Sequence, residues 1–437
     1  MTRTTSPSPA HPSPGRPSPA PVATPRGGSY ARLPRLAGPW FLPVAFLARL
    51  PFSMLTIATL LLVTEATGSV GSGGLASAAA ALGTAVGGPV QGALADRVGQ
   101  RRVVGACVPV SALSVAALLA TTTGTDLPAM LASAALVGAS VPQVSPLARV
   151  RWLALAADEP RTLRAATSYE STADELGFVL GPALVGILAA AGSPRTAVLV
   201  AAALVVTAGT AFALHPTARL ASARPGGPTT DRGPRAVVRL ARAQAVTVVG
   251  MLAMGLLFGG TQAALTGFTR DVGAPGLAGL VYAVMGVGSA VTALSVVALP
   301  DRWSPADRWT GFAAGLLLSA GALVGAAASG SLAAVVVAVA VLGLFVGPVM
   351  VTVFSVAGDR AAAGRTAAAM TLVASANVVG VALGATTAGQ LAEAGSTTAA
   401  FLLPVVAGVV LLAAGVSLTS RPRAGLRRGA ATSAAVR

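Results

Sequence analysis

Twelve long apolar segments follow one another through most of the sequence, and each is long enough to form a helix that crosses a bilayer. The hydrocarbon core is about 30 Å thick, which takes roughly 20 helical residues. The segments lie near residues 40–64, 74–95, 103–123, 127–150, 166–191, 196–215, 243–265, 276–299, 310–329, 332–356, 366–391 and 399–419. A soluble fold is excluded, because 54% of the residues are apolar and only 10% are charged, against about 45–50% and about 25% in soluble proteins. The apolar residues do not alternate, which excludes a transmembrane β-barrel. We therefore predict an all-α integral membrane protein with twelve transmembrane helices.

An internal repeat divides these helices into two sets of six. The segment 177–192 matches 380–395 with 8 identities in 16 positions, at an offset of 203 residues. Single residues recur at an offset of 205: Asp96-Arg97 with Asp301-Arg302, and Gly138 with Gly343. Six helices separate the copies, and this even number gives both halves the same orientation in the membrane. We predict two six-helix halves related by an axis along the membrane normal.

The polar segments complete the domain organisation. Residues 1–38 are rich in Pro, Ser and Ala without an apolar stretch, which predicts a disordered cytoplasmic tail and not a signal peptide. The remaining parts are an N-terminal half at 39–215, a cytoplasmic central loop at 216–242, a C-terminal half at 243–420 and a basic cytoplasmic tail at 421–437.

The arginines indicate the orientation of the chain. All 30 basic residues are arginine, and 27 of them lie in the tails or in the even-numbered loops. This bias places both termini in the cytoplasm by the positive-inside rule, and it explains the net charge of +16 without a nucleic-acid partner. The four tryptophans fall on the same side, which predicts an interfacial belt of Trp40, Trp152, Trp303 and Trp309. We expect a multi-pass monomer of a bacterial inner membrane, with the lipid bilayer as its surroundings.

The loop between helices 2 and 3 carries the most specific motif. It reads GALADRVGQRR, and its six motif positions are Gly92, Asp96, Arg97, Gly99, Arg101 and Arg102. This spacing resembles the signature of the major facilitator superfamily. With the twelve segments and the partial second copy at Asp301-Arg302, the resemblance extends over residues 38–420. It implies transport by alternating access of two six-helix halves.

Electrostatics suggests a role for this loop. Helix 11 begins near Gly364, on the same side of the membrane as Asp96. A carboxylate beside a helix N-terminus gains about 0.3–1 kcal/mol. Asp96 would therefore join the two halves when the cytoplasmic side is closed, with Arg97 and Arg101 paired to nearby acids. The alternative is plain topogenic charge with ordinary turn chemistry.

Helix 5 carries a second motif, which comprises Gly177, Gly181, Pro182 and Gly186. It resembles the Gly-Pro motif of proton-coupled drug exporters in the same superfamily. Proline bends a helix and glycines allow a close neighbour, so this helix would form a seal and a pivot between the halves. Ordinary helix packing is the alternative.

Charged residues inside the apolar segments are the main candidates for a site, since each costs at least about 2.5–3.5 kcal/mol at a helix centre. They are Arg49 in helix 1 and Glu170, Asp174 and Glu175 in helix 5. Their depths allow an ion pair between these helices. Asp174 and Glu175 are adjacent, so they lie about 100° apart around the helix and cannot both face one cavity. The charges would either bind a proton or substrate, or form a static pair that fixes the packing.

Three uncharged polar residues are further candidates for a central cavity: Gln143, Gln262 and Asn377. Asn377 corresponds to Asp174 at the repeat offset of 203. Interhelical hydrogen bonds are the alternative role for all three.

Enzyme and pump signatures are absent from the sequence. Without lysine it cannot carry the nucleotide-binding motif GxxxxGK[ST], which excludes an ATP-driven pump within this chain. One cysteine and two histidines cannot build a metal site of their own. We predict a secondary transporter that exports a small amphipathic molecule by proton antiport, with the proton gradient as its driving force and no cofactor. Asp174 would bind a proton on the outside and release it on the inside. Arg49 would modulate the pKa of Asp174 or pair with it while it carries no proton. An importer or facilitator of a sugar, nucleoside or organic acid is one alternative, and a non-transporting sensor or scaffold is another.

Overall fold

In a computed structural model, twelve helices long and apolar enough to cross a membrane confirm the predicted fold class. The structure describes residues 29–124, 126–220, 234–274, 277–300, 302–362, 364–394 and 397–419. Within these ranges the spanning helices, labelled α1 to α12, are Phe41–Thr67, Gly71–Val98, Gln100–Thr121, Leu127–Leu155, Pro160–Ala191, Pro194–Leu214, Ala245–Asp271, Ala278–Ala298, Pro305–Ala328, Leu332–Asp359, Thr366–Glu393 and Thr397–Thr419. Helices α1–α6 form one half and α7–α12 the other.

Both halves contain the same close helix crossing. A Cβ atom on Gly138 of α4 would overlap the carbonyl oxygen of Ala80 in α2, and a Cβ on Gly343 of α10 would overlap that of Met285 in α8. Both positions of this contact correspond at the offset of 205, with Gly343 for Gly138 and Met285 for Ala80. Small residues allow backbones to approach this closely in a membrane, where burial of apolar surface does not drive helices together. The equivalent contacts show the parallel relation of the two halves.

Helix α4 is broken, which the sequence reading did not predict. It ends at Ser140 and resumes at Val144, because Pro142 has no N–H and forces Val141 into an extended conformation. The side chain of Gln91 in α2 satisfies the freed backbone groups. It donates to the carbonyls of Ala139 and Val141 and accepts from the N–H of Gln143.

Residues 29–38 correct the predicted disordered tail. Ser29–Arg32 form a 3₁₀ turn and Leu33–Ala37 a short helix. They are ordered because Leu33 and Ala37 share one helix face and bury it, and because the Tyr30 hydroxyl donates to the carbonyl of Leu294 in α8. Several predicted segments lie outside the described residues. They are the rest of that tail, the basic tail after Thr419, residues 221–233 and Asp301 of the second motif copy.

One face of the bundle holds both ends of the described chain and the even-numbered loops with their arginines. We call it the arginine-rich face, and its counterpart the opposite face. The central segment adds two short helices near this face, Thr217–Leu220 and Pro234–Ala243.

Candidate functional site

A cavity with an empty volume of about 600 Å³ lies between the two halves. Most of its wall is apolar, and its larger apolar side chains are Phe52, Phe178, Met251, Met350, Phe354 and Val378. Its polar side chains come mainly from α1, α4 and α5, and they are Arg49, Ser53, Gln143, Ser145, Asp174 and Asn377. The polar groups concentrate on the N-terminal half, so the cavity offers one charged wall and one apolar wall.

Arg49 connects α1 to two carboxylates of α5. Its Nη2 atom lies 2.5 Å from Glu170 Oε2, and its Nη1 atom lies 3.0 Å from Asp174 Oδ1. The two acids are one helical turn apart and face the same guanidinium. Asp174 retains 8% exposure at the cavity wall, whereas Glu170 has none and lies behind Arg49. The structure thus contains an ion pair between helices 1 and 5, which the depths of these charges allow.

Arg149 of α4 is a partner that the sequence reading missed. Its Nη1 atom lies 2.8 Å from Asp174 Oδ2, and Ser145 donates to the same oxygen at 2.7 Å. The guanidinium also lies 3.7 Å from the centre of the Phe354 ring, in the other half. Asp174 is therefore held between two arginines. The sequence contains one indication of this contact, which is the balance of buried charges. Two carboxylates buried beside a single arginine require a second cation.

Trp152 completes the charged cluster and corrects the predicted tryptophan belt. Its Nε1–H donates to Glu170 Oε1 at 2.8 Å, and it is only 1% exposed. Trp309 is fully buried, with its N–H on the carbonyl of Leu411. Only Trp40 and Trp303 are exposed. A buried indole N–H needs an acceptor, and both buried rings have one inside their own half.

Glu175 faces a different surrounding from its neighbour Asp174. It points to α8, where Ser289 Oγ donates to its Oε1 at 2.6 Å. Its Oε2 has no hydrogen-bond partner, and the residue as a whole is buried. Adjacent positions on α5 therefore serve the cavity and the contact between the halves.

The uncharged candidates divide between the cavity and the surface. Gln143 and Asn377 line the cavity, and Asn377 Oδ1 has no hydrogen-bond partner there. Gln262 is exposed and does not line it, which corrects the prediction. The reason is its depth, because α7 reaches the cavity at Met251 and Gln262 lies eleven residues, about 16 Å, further along the helix.

The loop motif joins the two halves at the arginine-rich face. Asp96 Oδ1 accepts from the N–H of Ala367 at 2.9 Å, and Oδ2 accepts from the N–H of Ala368 at 2.8 Å. Both donors belong to the first turn of α11. Gly92 lets the backbones approach, since a Cβ there would overlap Thr371 and the Ala367 carbonyl. Gly99 has a φ of +90°, which favours glycine.

The arginines of the motif correct one expectation. Arg97, Arg101 and Arg102 are exposed, and the structure gives Arg97 and Arg101 no ion pair with a described acid. The acid within the loop, Asp96, is instead occupied by the backbone of α11.

The glycines of α5 face different neighbours. A Cβ on Gly181 would overlap Ser53 of α1, whose hydroxyl donates to the Gly177 carbonyl at 2.8 Å. Gly186 has no neighbour within 4 Å of a Cβ position. The repeat partners Gly380 and Gly384 of α11 pack against α7 backbone carbonyls. The described contacts of the motif are thus with α1, in its own half.

The contacts between the halves close the cavity towards the arginine-rich face. Besides Asp96 and Glu175, they include Thr172 on the Ala290 carbonyl, and Leu153 of α4 beside Gly358 of α10. Asp96 and Leu153 lie between the cavity and that face, whereas Thr172 and Glu175 lie on α5 at about the depth of Asp174, which lines the cavity.

Removal of the Asp96 contact should shift the protein away from this closed arrangement. Asp96→Ala deletes two charge-assisted hydrogen bonds between the halves, each worth about 1.5–3 kcal/mol. We expect the ratio of closed to open molecules to fall at least tenfold. Spin labels at Ala157→Cys and Ala362→Cys, in a Cys107→Ser background, would measure it, because these sites follow Leu153 and Gly358.

The matched control is Asp307→Ala. Asp307 forms a capping box with Ser304 at the start of α9, within one half. This substitution should leave the distance between the labels unchanged. An Asp96→Ala variant with the distance distribution of its parent would show that the contact does not hold the halves together.

Comparisons with known proteins agree with this architecture. The family model described as Major Facilitator Superfamily matches residues 41–365 and 247–435. The human organic anion transporter MFSD10 (TETRAN) has a similar structure, with a TM-score of 0.65 and 21% identity over 88% of this chain and 99% of that chain. A point variant of the E. coli fucose:proton symporter FucP has a TM-score of 0.61 and 15% identity, over 87% and 99%. The proton:xylose symporter XylE, bound to 6-bromo-6-deoxy-D-glucose, has a TM-score of 0.62 and 14% identity, over 85% and 94%. No curated protein sequence matches the chain.

Proposed function

The chain belongs to the Major Facilitator Superfamily, and from this premise we propose that it exports a small amphipathic molecule in exchange for protons. The observation that carries the proposal is the position of Asp174, which lies at the cavity wall between Arg49 and Arg149. A proton can reach a carboxylate at that position from the cavity. The negative charge of this carboxylate balances the positive charges of Arg49 and Arg149. Asp174 is the group that we assign to proton binding.

The charges of the cluster connect the proton to the substrate. With Asp174 and Glu170 ionised, the two acids balance Arg49 and Arg149. A proton on Asp174 leaves the cluster with a net charge of +1. In a poorly screened cavity this charge repels a cationic substrate, so proton and substrate occupy the site in turn. Alternate occupancy of this kind is antiport.

The cavity wall supports an amphipathic substrate. Aromatic rings and methionines form its large side chains, and they suit an apolar or aromatic molecule. A sugar requires many hydrogen-bonding partners, and most of the lining is apolar. We therefore favour a substrate with an apolar body and a positive centre.

A second candidate is proton-coupled uptake of an organic anion. Arg149 has one carboxylate partner, Asp174, among the ion pairs of the described residues. Protonation of Asp174 would leave this arginine beside the cavity and able to bind an anion. An anion would then enter together with the proton, as in a symporter. The similar structures include an organic anion transporter and two proton symporters.

For the membrane setting, we propose a monomer in a bacterial inner membrane, with the arginine-rich face in the cytoplasm. The positive-inside rule supports this orientation. The structure would then represent a state that is closed towards the cytoplasm. The proton gradient would be the only energy source, and no cofactor would take part.

Accumulation of fluorescent dyes in an efflux-deficient bacterial host tests the proposal. The panel contains amphipathic cations, neutral molecules and anions, and compares cells with the transporter and with empty vector, each with and without a protonophore. We expect the transporter to lower the accumulation of a cationic dye several-fold, and the protonophore to abolish this difference.

Two outcomes would contradict export by antiport. Equal accumulation with transporter and vector for every dye would exclude export of these compounds. Increased accumulation of an anionic dye, strongest in acidic medium, would instead establish the symport alternative.

A further inference from the structure

Glu175 is a buried acid that the proposed cycle does not use. It lies at the contact of α5 with α8, and 5% of it is exposed. One of its carboxyl oxygens accepts from Ser289, and the other has no hydrogen-bond partner. It is absent from the wall of the central cavity.

The charged groups around Glu175 offer it no counter-ion. Arg49 and Arg149 are both engaged by Asp174 on the same helix, and none of the ion pairs among the described residues includes Glu175. From α8, the groups nearby are Ser289 and the phenol of Tyr282. An ionised carboxylate without a cation is far more costly to bury than a neutral carboxylic acid with the same hydrogen bond.

We propose that Glu175 is a second proton-binding site, which carries its proton while α5 and α8 are in contact and releases it to water at the arginine-rich face when they separate. The O–H bond of the carboxylic acid breaks in that step, and the proton leaves with water. The reverse step requires a proton from the same face before the halves can close. This site is a proton-dependent gate and differs from Asp174, which exchanges protons with the cavity.

The gate has a distinct dependence on pH. High pH favours ionised Glu175 and therefore the separated arrangement of α5 and α8. Asp96, the other acid at the contact between the halves, acts in the opposite sense, because its ionised form holds α11 and its protonation weakens closure. Opening at high pH can thus be attributed to Glu175 and not to Asp96.

The same pair of spin labels, at Ala157→Cys and Ala362→Cys, tests the gate in lipid nanodiscs from about pH 5 to about pH 9. In the Cys107→Ser background, we expect the long-distance population to grow as the pH rises. Glu175→Gln keeps the shape of the neutral acid without a titrating group. It should keep the distance short throughout, with at least a tenfold smaller open population at the highest pH.

Three further variants make the result specific. Glu65→Gln removes an exposed acid near the opposite face and should behave as the background does. Asp174→Asn removes the carboxylate that engages Arg49 and Arg149, so it should favour ionised Glu175 and move the opening to lower pH. Glu175→Met provides an apolar replacement of similar size, and it should remain closed even if the Gln variant folds poorly.

A background protein without a pH-dependent distance, or a Glu175→Gln variant that opens like its parent, would overturn the inference. It rests on the alternating access of the proposed function, but not on the direction or substrate of transport. The dye measurements can fail while the distance measurements succeed, and the reverse also holds.

Discussion

Arg49→Ala is expected to lower the free energy of unfolding by about 3–5 kcal/mol, the range for a buried ion pair that loses one partner. Glu170 is fully buried, and Arg49 is its ion-pair partner. Alanine would leave this carboxylate with the Trp152 N–H as its hydrogen-bond donor and without its ion pair, and Asp174 with Arg149 and Ser145. Unfolding of the purified protein in detergent, followed by its tryptophan fluorescence, measures the loss.

The double variant Arg49→Leu/Glu170→Leu separates the ion pair from general packing. Replacement of a whole buried pair by apolar groups is often neutral or stabilising, so the double variant should be more stable than Arg49→Ala. Arg97→Ala is the matched control, because Arg97 is exposed in the last turn of α2, and it should change stability by no more than about 0.5 kcal/mol. If Arg49→Ala costs as little as this control, the ion pair does not contribute to the folded state.

The pairing of α1 with α5 could be predicted because charges in apolar segments are few and costly. A lone arginine in helix 1 and acids at a similar depth in helix 5 have little choice of partner. The number of spans and the repeat of the halves were predictable for a similar reason, since the bilayer fixes the length of each helix. Asp96 belongs to the same group, because its contact follows from the charge of a helix N-terminus.

Arg149 could not be found from position alone. It lies near the end of helix 4, where an arginine is typical of the charged side of a membrane protein. The break at Val141–Gln143 carries the chain towards the cavity, and it depends on Gln91 of another helix to satisfy the freed backbone groups. A contact that depends on a side chain far away in the sequence cannot be predicted from the local sequence pattern.

The rotation of each helix about its axis could not be predicted from the sequence either. Spanning helices are apolar on the lipid side as well as on the packed side, so periodicity does not separate the two faces. Trp152 shows the consequence. The sequence predicts it in an interfacial belt, whereas its side chain turns inward to the charged cluster.

Asp174→Asn is expected to reduce proton-driven export to the level of cells without the transporter. Asparagine keeps the shape of the side chain and can still accept a hydrogen bond from Ser145. It cannot gain or lose a proton at the pH values of the transport assay. The cluster then keeps its charge of +1 at every stage of the cycle. Initial efflux rates of the dye identified in the accumulation assay, measured at several external pH values, should depend on pH for the native protein and be flat for the variant.

Asp126→Asn is the control for this change, because Asp126 is exposed and caps α4 by accepting from the Ala129 N–H. It should export at the native rate. Asp174→Glu restores a titrating group at a slightly different position and should recover part of the export, which a purely structural role of Asp174 would not predict. Export by Asp174→Asn with the native pH dependence would remove Asp174 as the coupling group. Because Glu175 faces α8 and not the cavity, such a result would leave the gate as the proton site that acts on the cycle.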